Sequence, residues 1–255
     1  MYKRSLIDII DAVIQSMTFA ITIYKVTPEA GNNYLLNVSD IFHSQQGWPV
    51  QINGKSYNIV SWTDMAGQMT LTVNDPEGKS GAPVQCEFNL YAPDFFYGTP
   101  VDTTAELAKQ NNAFDKYPMF WLLMNFKEKF HDNPENPIER DSTFKIYALT
   151  GDRAMQSMEQ SALNETYLKP MQKMMDKFIE RVNGSWGGGA KQGLAVFDKY
   201  KLEYDMQPFL KMGVYVQNKG VKTAIMTSPL TGVECSMTVR ILRPQTNNLC
   251  YEIFC

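Results

Sequence analysis

The chain has 255 residues, 44% of them hydrophobic and 20% charged, with a formal net charge of −3. That composition excludes a disordered or low-complexity chain and leaves room for one larger domain or two small ones. The slight acidity gives no global reason to bind nucleic acid or an anionic membrane, and no apolar run approaches the ~20 residues that span a bilayer.

In chain order, Leu6, Ile9, Ile10, Val13, Ile14 and Met17 recur three and four apart, which predicts an amphipathic helix. Ser5 and Asp8 read as a variant capping box at its start. Lys3 and Arg4 precede this stretch as in a signal peptide. Asp8 and Asp11 interrupt it, however, and no small-residue cleavage site follows, so a leader is rejected. Residues 19–26, 34–42, 49–62, 68–74 and 83–92 then alternate as short strands with tight connectors. Asn53-Gly54 between Ile52 and Tyr57 is the strongest hairpin signal among them. The segment 93–100 ends this β-rich region.

Residues 103–114 look helical, with Thr103 or Thr104 as cap. Pro118 opens the apolar run 119–126, which reads as a buried helix or a core strand. A polar loop at 131–141 leads to a strand at 142–150. A long amphipathic helix follows over 165–182, with Pro170 in its first turn or kinking it. Strands are expected again at 194–206, 211–218, 233–242 and 249–255. The predicted fold class is α+β: an N-terminal helix and a small antiparallel β module, barrel or sandwich, followed by long helices packed on a mostly antiparallel sheet. The expected division is a helix over 1–18 packing on the core, a β module over 19–100, and an α+β core over 101–255 that holds the long helix 165–182 and the C-terminal strands.

Few residues point to chemistry. The glycine-rich stretch 183–193 suggests a phosphate cradle, but Ala190 stands where the lysine belongs and Gln192 replaces the magnesium-holding Ser or Thr. It also follows a helix, whereas a phosphate loop opens one, so it reads as a connector. Cys86, Cys235, Cys250 and Cys255 form no C-x-x-C pair, which points to reduced thiols and a cytoplasmic origin. His43 and His131 are far apart and neither lies near a nucleophile turn, so both read as surface histidines. Asp132, Glu135, Glu139 and Asp141 share one polar loop beside Arg140, where a metal or glycosidase site would need converging rigid elements. Trp48, Trp62, Trp121 and Trp186 invite a stacking role, yet the β module holds three lysines against seven acids, a poor phosphate track. No catalytic residue, cofactor or metal is therefore expected. Lys169, Lys173, Lys177 and Arg181, every fourth residue of the long helix, align as a basic ridge that is either solvated or faces a partner or DNA.

Four stretches together carry a resemblance: LYAPDFFYGTP (90–100), YPMFWLL (117–123), ERDSTFKIYAL (139–149) and YLKPMQKMMDKFIERV (167–182). Their order is similar to head-to-tail joining virion proteins of tailed bacteriophages of the crAss-like lineage, and the general plan resembles tail-terminator and neck ring proteins. The resemblance covers roughly 90–182 and carries over no active-site residue. It implies a homo-oligomeric ring between portal and tail that touches adjacent portal, neck or tail rings. The basic ridge could then meet packaged DNA, and the chain would be assembled in the host cytoplasm with no membrane contact. The alternatives are a carbohydrate- or peptide-binding module gripped by the tryptophans, and a hydrolase built on the acidic loop.

Overall fold

The computed structural model describes residues 5–65, 68–109, 118–131, 139–151, 164–183, 202–212, 216–218, 221–223 and 230–241. The chain forms two compact units, Thr18–Ala92 on one hand and Met1–Met17 with Pro93–Cys255 on the other.

The smaller unit is one antiparallel sheet of six strands: β1 (Ala20–Pro28), β2 (Asn33–Val38), β3 (Pro49–Ile52), β4 (Lys55–Met65), β5 (Gln68–Asn74) and β6 (Glu87–Asn89). Their spatial order is β3-β4-β5-β2-β1-β6, and the end strands β3 and β6 approach each other, so the sheet curls almost into a barrel. Irregular pairing at Ile23/Lys25 and at Ile59/Ser61 supplies bends of the kind such curling needs. The turn Asn53-Gly54 has φ of +50° and +75°, the left-handed pair of a two-residue hairpin, as the sequence predicts. Phe19, Ile21, Leu36, Ile52, Tyr57 and Leu71 fill the interior.

The larger unit begins with α1 (Leu6–Gln15), capped as expected: the Asp8 N–H donates to Ser5 Oγ and the Ser5 N–H to Asp8 Oδ2, both at 3.1 Å. Its sheet contains β7 (Asp94–Gly98), β8 (Met119–Leu123), β9 (Lys127–His131), β10 (Glu139–Gly151), β11 (Glu203–Met212) and β14 (Leu230–Ile241). The order is β11-β14-β10-β8-β7, and β9 pairs with β10 beyond β8. All pairs are antiparallel except β7–β8. Two further strands, β12 (Val216–Asn218) and β13 (Val221–Thr223), pair with each other and with no other strand among the described residues. Among the described residues the unit also holds the helices α2 (Pro100–Lys109) and α3 (Lys169–Asn183), the latter continuing a π-helical turn at Asn164–Leu168.

The expectation of long helices packed on the sheet does not hold. The first five residues of the run 119–126 form the core strand β8, because Met119 to Leu122 are all buried and no polar face is left there for a helix to show. Segment 93–98 does not close the β module; it is β7 of the larger sheet. The cap of α2 is Thr99, whose N–H and hydroxyl donate to Asp102 Oδ2 at 3.0 and 2.7 Å, with Pro100 in the first helical position. Helix α3, fifteen residues long, lies against β10 and β14. Pro170, the second residue of α3, sits where the π-helical turn gives way to α-helix.

The spine of the larger sheet is the β10–β14 pair, in unbroken register from Arg140↔Ile241 to Gly151↔Leu230. Phe144, Ile146 and Ala148 share a face with Cys235, Met237 and Val239. On the same side, Met171, Met174, Met175 and Phe178 of α3 are buried, and Phe178 meets Phe120 with ring centroids 5.4 Å apart. Gly232, opposite Leu149, is required there: a Cβ at that position would lie 1.9 Å from the Ala148 carbonyl oxygen.

Candidate functional site

The other face of the β10–β14 spine is largely polar. Strand alternation places Lys127, Lys129, His131, Asp141, Thr143, Lys145, Thr238 and Arg240 together on it. Arg240 grips Asp141 with both prongs, Nε to Oδ1 at 2.7 Å and Nη2 to Oδ2 at 3.1 Å, and His131 Nε2 lies 2.8 Å from Oδ2. The Arg240 hydrogen bonds outweigh the opposing push of burial and, with His131, hold the Asp141 carboxyl at about 2. Thr143 and Thr238 share a hydrogen bond of 3.1 Å. Lys145 pairs with the buried carboxylate of Glu234, to which the Tyr147 phenol also hydrogen bonds. Burial first, then the Glu234 charge, raises the Tyr147 phenol above its ordinary value. Tyr147 stacks on Trp121 at 4.7 Å, and the Trp121 indole N–H donates to the Gly98 carbonyl at 3.2 Å.

These contacts correct two expectations. His131 ends strand β9 and Glu139 and Asp141 lie in strand β10, not in the polar loop assigned to them. The sequence signal for the His131–Asp141 pair is their ten-residue spacing, readable only once both flanks are known to be antiparallel strands. Asp132 and Glu135 lie outside the described residues, as do the glycine-rich stretch 184–193, Trp186, Cys250, Cys255 and the expected strand 249–255. Cys235 is buried, and burial pushes its thiol up to about 12, so it is a packing group and not a nucleophile.

The ridge residues Lys169, Lys173, Lys177 and Arg181 do line one flank of α3, and all four are half-buried. The exposed crest beside them is Gln172, Asp176 and Glu180. Lys177 pairs with Glu180 at 3.0 Å, and Arg181 Nε donates to Ser16 Oγ just past α1 at 2.8 Å. Lys169 and Lys173 are engaged as well. The ridge therefore spends part of its charge on its own unit.

The smaller unit holds a different feature. His43 is only 2% exposed, against the expectation of a surface histidine. It follows β2 in a turn, where Phe19 meets its ring edge-on at 4.4 Å. Its Nε2 lies 2.9 Å from the Tyr91 carbonyl oxygen, which can only accept, so Nε2 carries the proton. Burial lowers the imidazole to about 4, against a partial rise from that hydrogen bond. Nδ1 is then a bare acceptor. Neither it nor the buried Ser44 Oγ has a hydrogen-bond partner among the described residues, and both residues line a small cavity with Trp48, Ile59, Leu90 and Tyr91. Its room is that of about one water molecule. The sequence signal for His43 is mixed: the apolar Ile41 and Phe42 precede it, but the polar Ser44, Gln45 and Gln46 follow.

Among the described residues no cluster of His, Cys, Asp and Glu has the makings of a metal site, and no helix is long and apolar enough to cross a membrane. No family model matches the chain, and neither does any curated protein or solved structure.

Proposed function

We propose that this chain is a structural subunit that assembles with copies of itself into a ring, in the neck between the portal and the tail of a tailed bacteriophage. The reading rests on the resemblance of residues 90–182 and on one structural observation. Along the β10–β14 spine of the larger sheet, ionisable groups of the polar face are matched across strands, as in Asp141–Arg240 and Lys145–Glu234. A rigid spine with satisfied side chains suits a part that holds position under load. A heterologous contact repeated around a closed axis turns such a part into a ring. DNA contact through α3 is not part of this reading, since Lys177 and Arg181 already have protein partners. Light scattering of the purified chain, alone and with purified portal complex, tests the proposal. A closed oligomer in either sample supports it, and a monomer in both refutes it.

A second reading has its own observation. The cavity of the smaller unit is lined by His43 and Ser44, each with a buried, unpartnered polar atom among the described residues, beside Trp48 and the half-exposed ring of Tyr91. Two hydrogen-bonding atoms flanked by aromatics suit the hydroxyl of a carbohydrate or a peptide group. Glycan or peptide binding lost in Trp48→Ala, with the fold retained, would favour this reading over the first.

A further inference from the structure

The larger sheet ends in two strands that carry opposite charge on the same face. On β9 the polar face shows Lys127 and Lys129, both exposed. On β11 the same face shows Glu203 and Asp205, both exposed. None of these four has an ion-pair partner among the described residues. The opposite face repeats the match in apolar form: Phe130 of β9 is 48% exposed and Tyr204 of β11 is 49% exposed. Among the described residues no further strand pairs with either β9 or β11 on its outer side, and α2 lies against β7.

Strand direction agrees with charge. β9 is antiparallel to β10, β10 to β14, and β14 to β11, so β9 and β11 themselves run in opposite senses. A second copy placed beside the first with the same face forward would bring its β11 antiparallel to β9 and continue the alternation without inverting a side chain. Meeting like edges instead would set Lys127 and Lys129 against themselves, or Glu203 and Asp205 against themselves, and like charges directly opposite repel.

We propose that β9 of one copy pairs antiparallel with β11 of the next, so that the larger sheet runs on from subunit to subunit. One register sets Lys129 opposite Glu203 and Lys127 opposite Asp205. In it Phe130 is diagonal to Tyr204 on the other face, within aromatic reach. The contact is heterologous, since each copy offers one edge of each kind, and it closes into a ring when the rotation per copy divides the circle. This rests on the ring reading above and names the contact that makes the ring.

Sedimentation velocity on the full chain and two charge-reversed variants tests it. Lys127→Glu with Lys129→Glu makes both edges acidic; Glu203→Lys with Asp205→Lys makes both basic. Each variant alone should self-associate about tenfold or more weakly than the parent, and mixing the two should restore assembly, because each then offers what the other lacks. Restoration on mixing also shows that both variants fold. If the parent assembles and the variants assemble as well as it does, the edge pairing is overturned while the ring reading stands. If the variants weaken and mixing restores nothing, the pairing is likewise overturned. If the parent forms no oligomer alone or with portal complex, both fall together.

Discussion

Acidification should destabilise the smaller unit through one residue. His43 is neutral in the fold with its imidazole at about 4, while an unfolded chain would take up the proton near 6.5. Its folded value is depressed, so the unfolded state binds more protons between those values. Stability is whole above 6.5, falls as pH drops through the window and levels off below 4. The gap of about 2.5 pH units, at 1.36 kcal/mol each, corresponds to about 3 kcal/mol over the full window, of which about 2 kcal/mol is lost between pH 7.5 and pH 5. The assay is urea unfolding at stepped pH, followed by the methyl resonances of Ile21, Leu36 and Leu71, which belong to this unit's interior. The control is His43→Gln, which keeps an N–H for the Tyr91 carbonyl and cannot titrate. The variant should lack the wild-type loss between pH 7.5 and 5. Equal pH dependence in the two proteins would refute the argument, as would an imidazole titration midpoint near 6.5 in the folded chain.

Other perturbations have equally definite outcomes. Asp141→Asn removes the carboxylate that Arg240 and His131 hold at about 2, and at neutral pH it should cost about 1–2 kcal/mol, a figure reduced for partial solvent screening. Because that folded value is depressed, the difference from wild type should persist above 3.8 and vanish in denaturation curves as pH falls to about 2. Gly232→Ala drives a methyl into the Ala148 carbonyl and should destabilise the larger unit by about 4 kcal/mol or more, read as a collapse of its thermal transition. Phe178→Ala opens a hole beneath α3 beside Phe120 and should cost about 3–5 kcal/mol in chemical denaturation. Ser5→Ala loses the α1 cap and should cost about 1 kcal/mol by the same measurement.

What the sequence reveals of this fold follows from which forces are local. The Asn53-Gly54 hairpin and the Ser5/Asp8 capping box are set by neighbours within a few residues, and both form where their residues predict them. Strands β5, β10 and β14 announce themselves by alternation. The run 119–126 carries no period, since a strand buried on both faces and a buried helix look alike in text. Segment 93–98 finds its partner in β8 across some twenty intervening residues, so nothing nearby in the sequence assigns it to the larger sheet. Site features were less legible still. The Asp141–Arg240 grip joins residues 99 apart, and the burial of His43 depends on Phe19 and Tyr91, which reach it only after the sheet curls. For the basic ridge, the periodicity places all four residues on one flank of α3, but it cannot show that Ser16 and Glu180 draw off part of their hydrogen bonding.

The most direct measurement is the mass of the purified full chain in solution, alone and after mixing with portal complex. A subunit built to touch its own copies should yield one closed species of fixed stoichiometry in at least one of the two samples. A single-chain mass in both, at every concentration up to the solubility limit, would contradict the account.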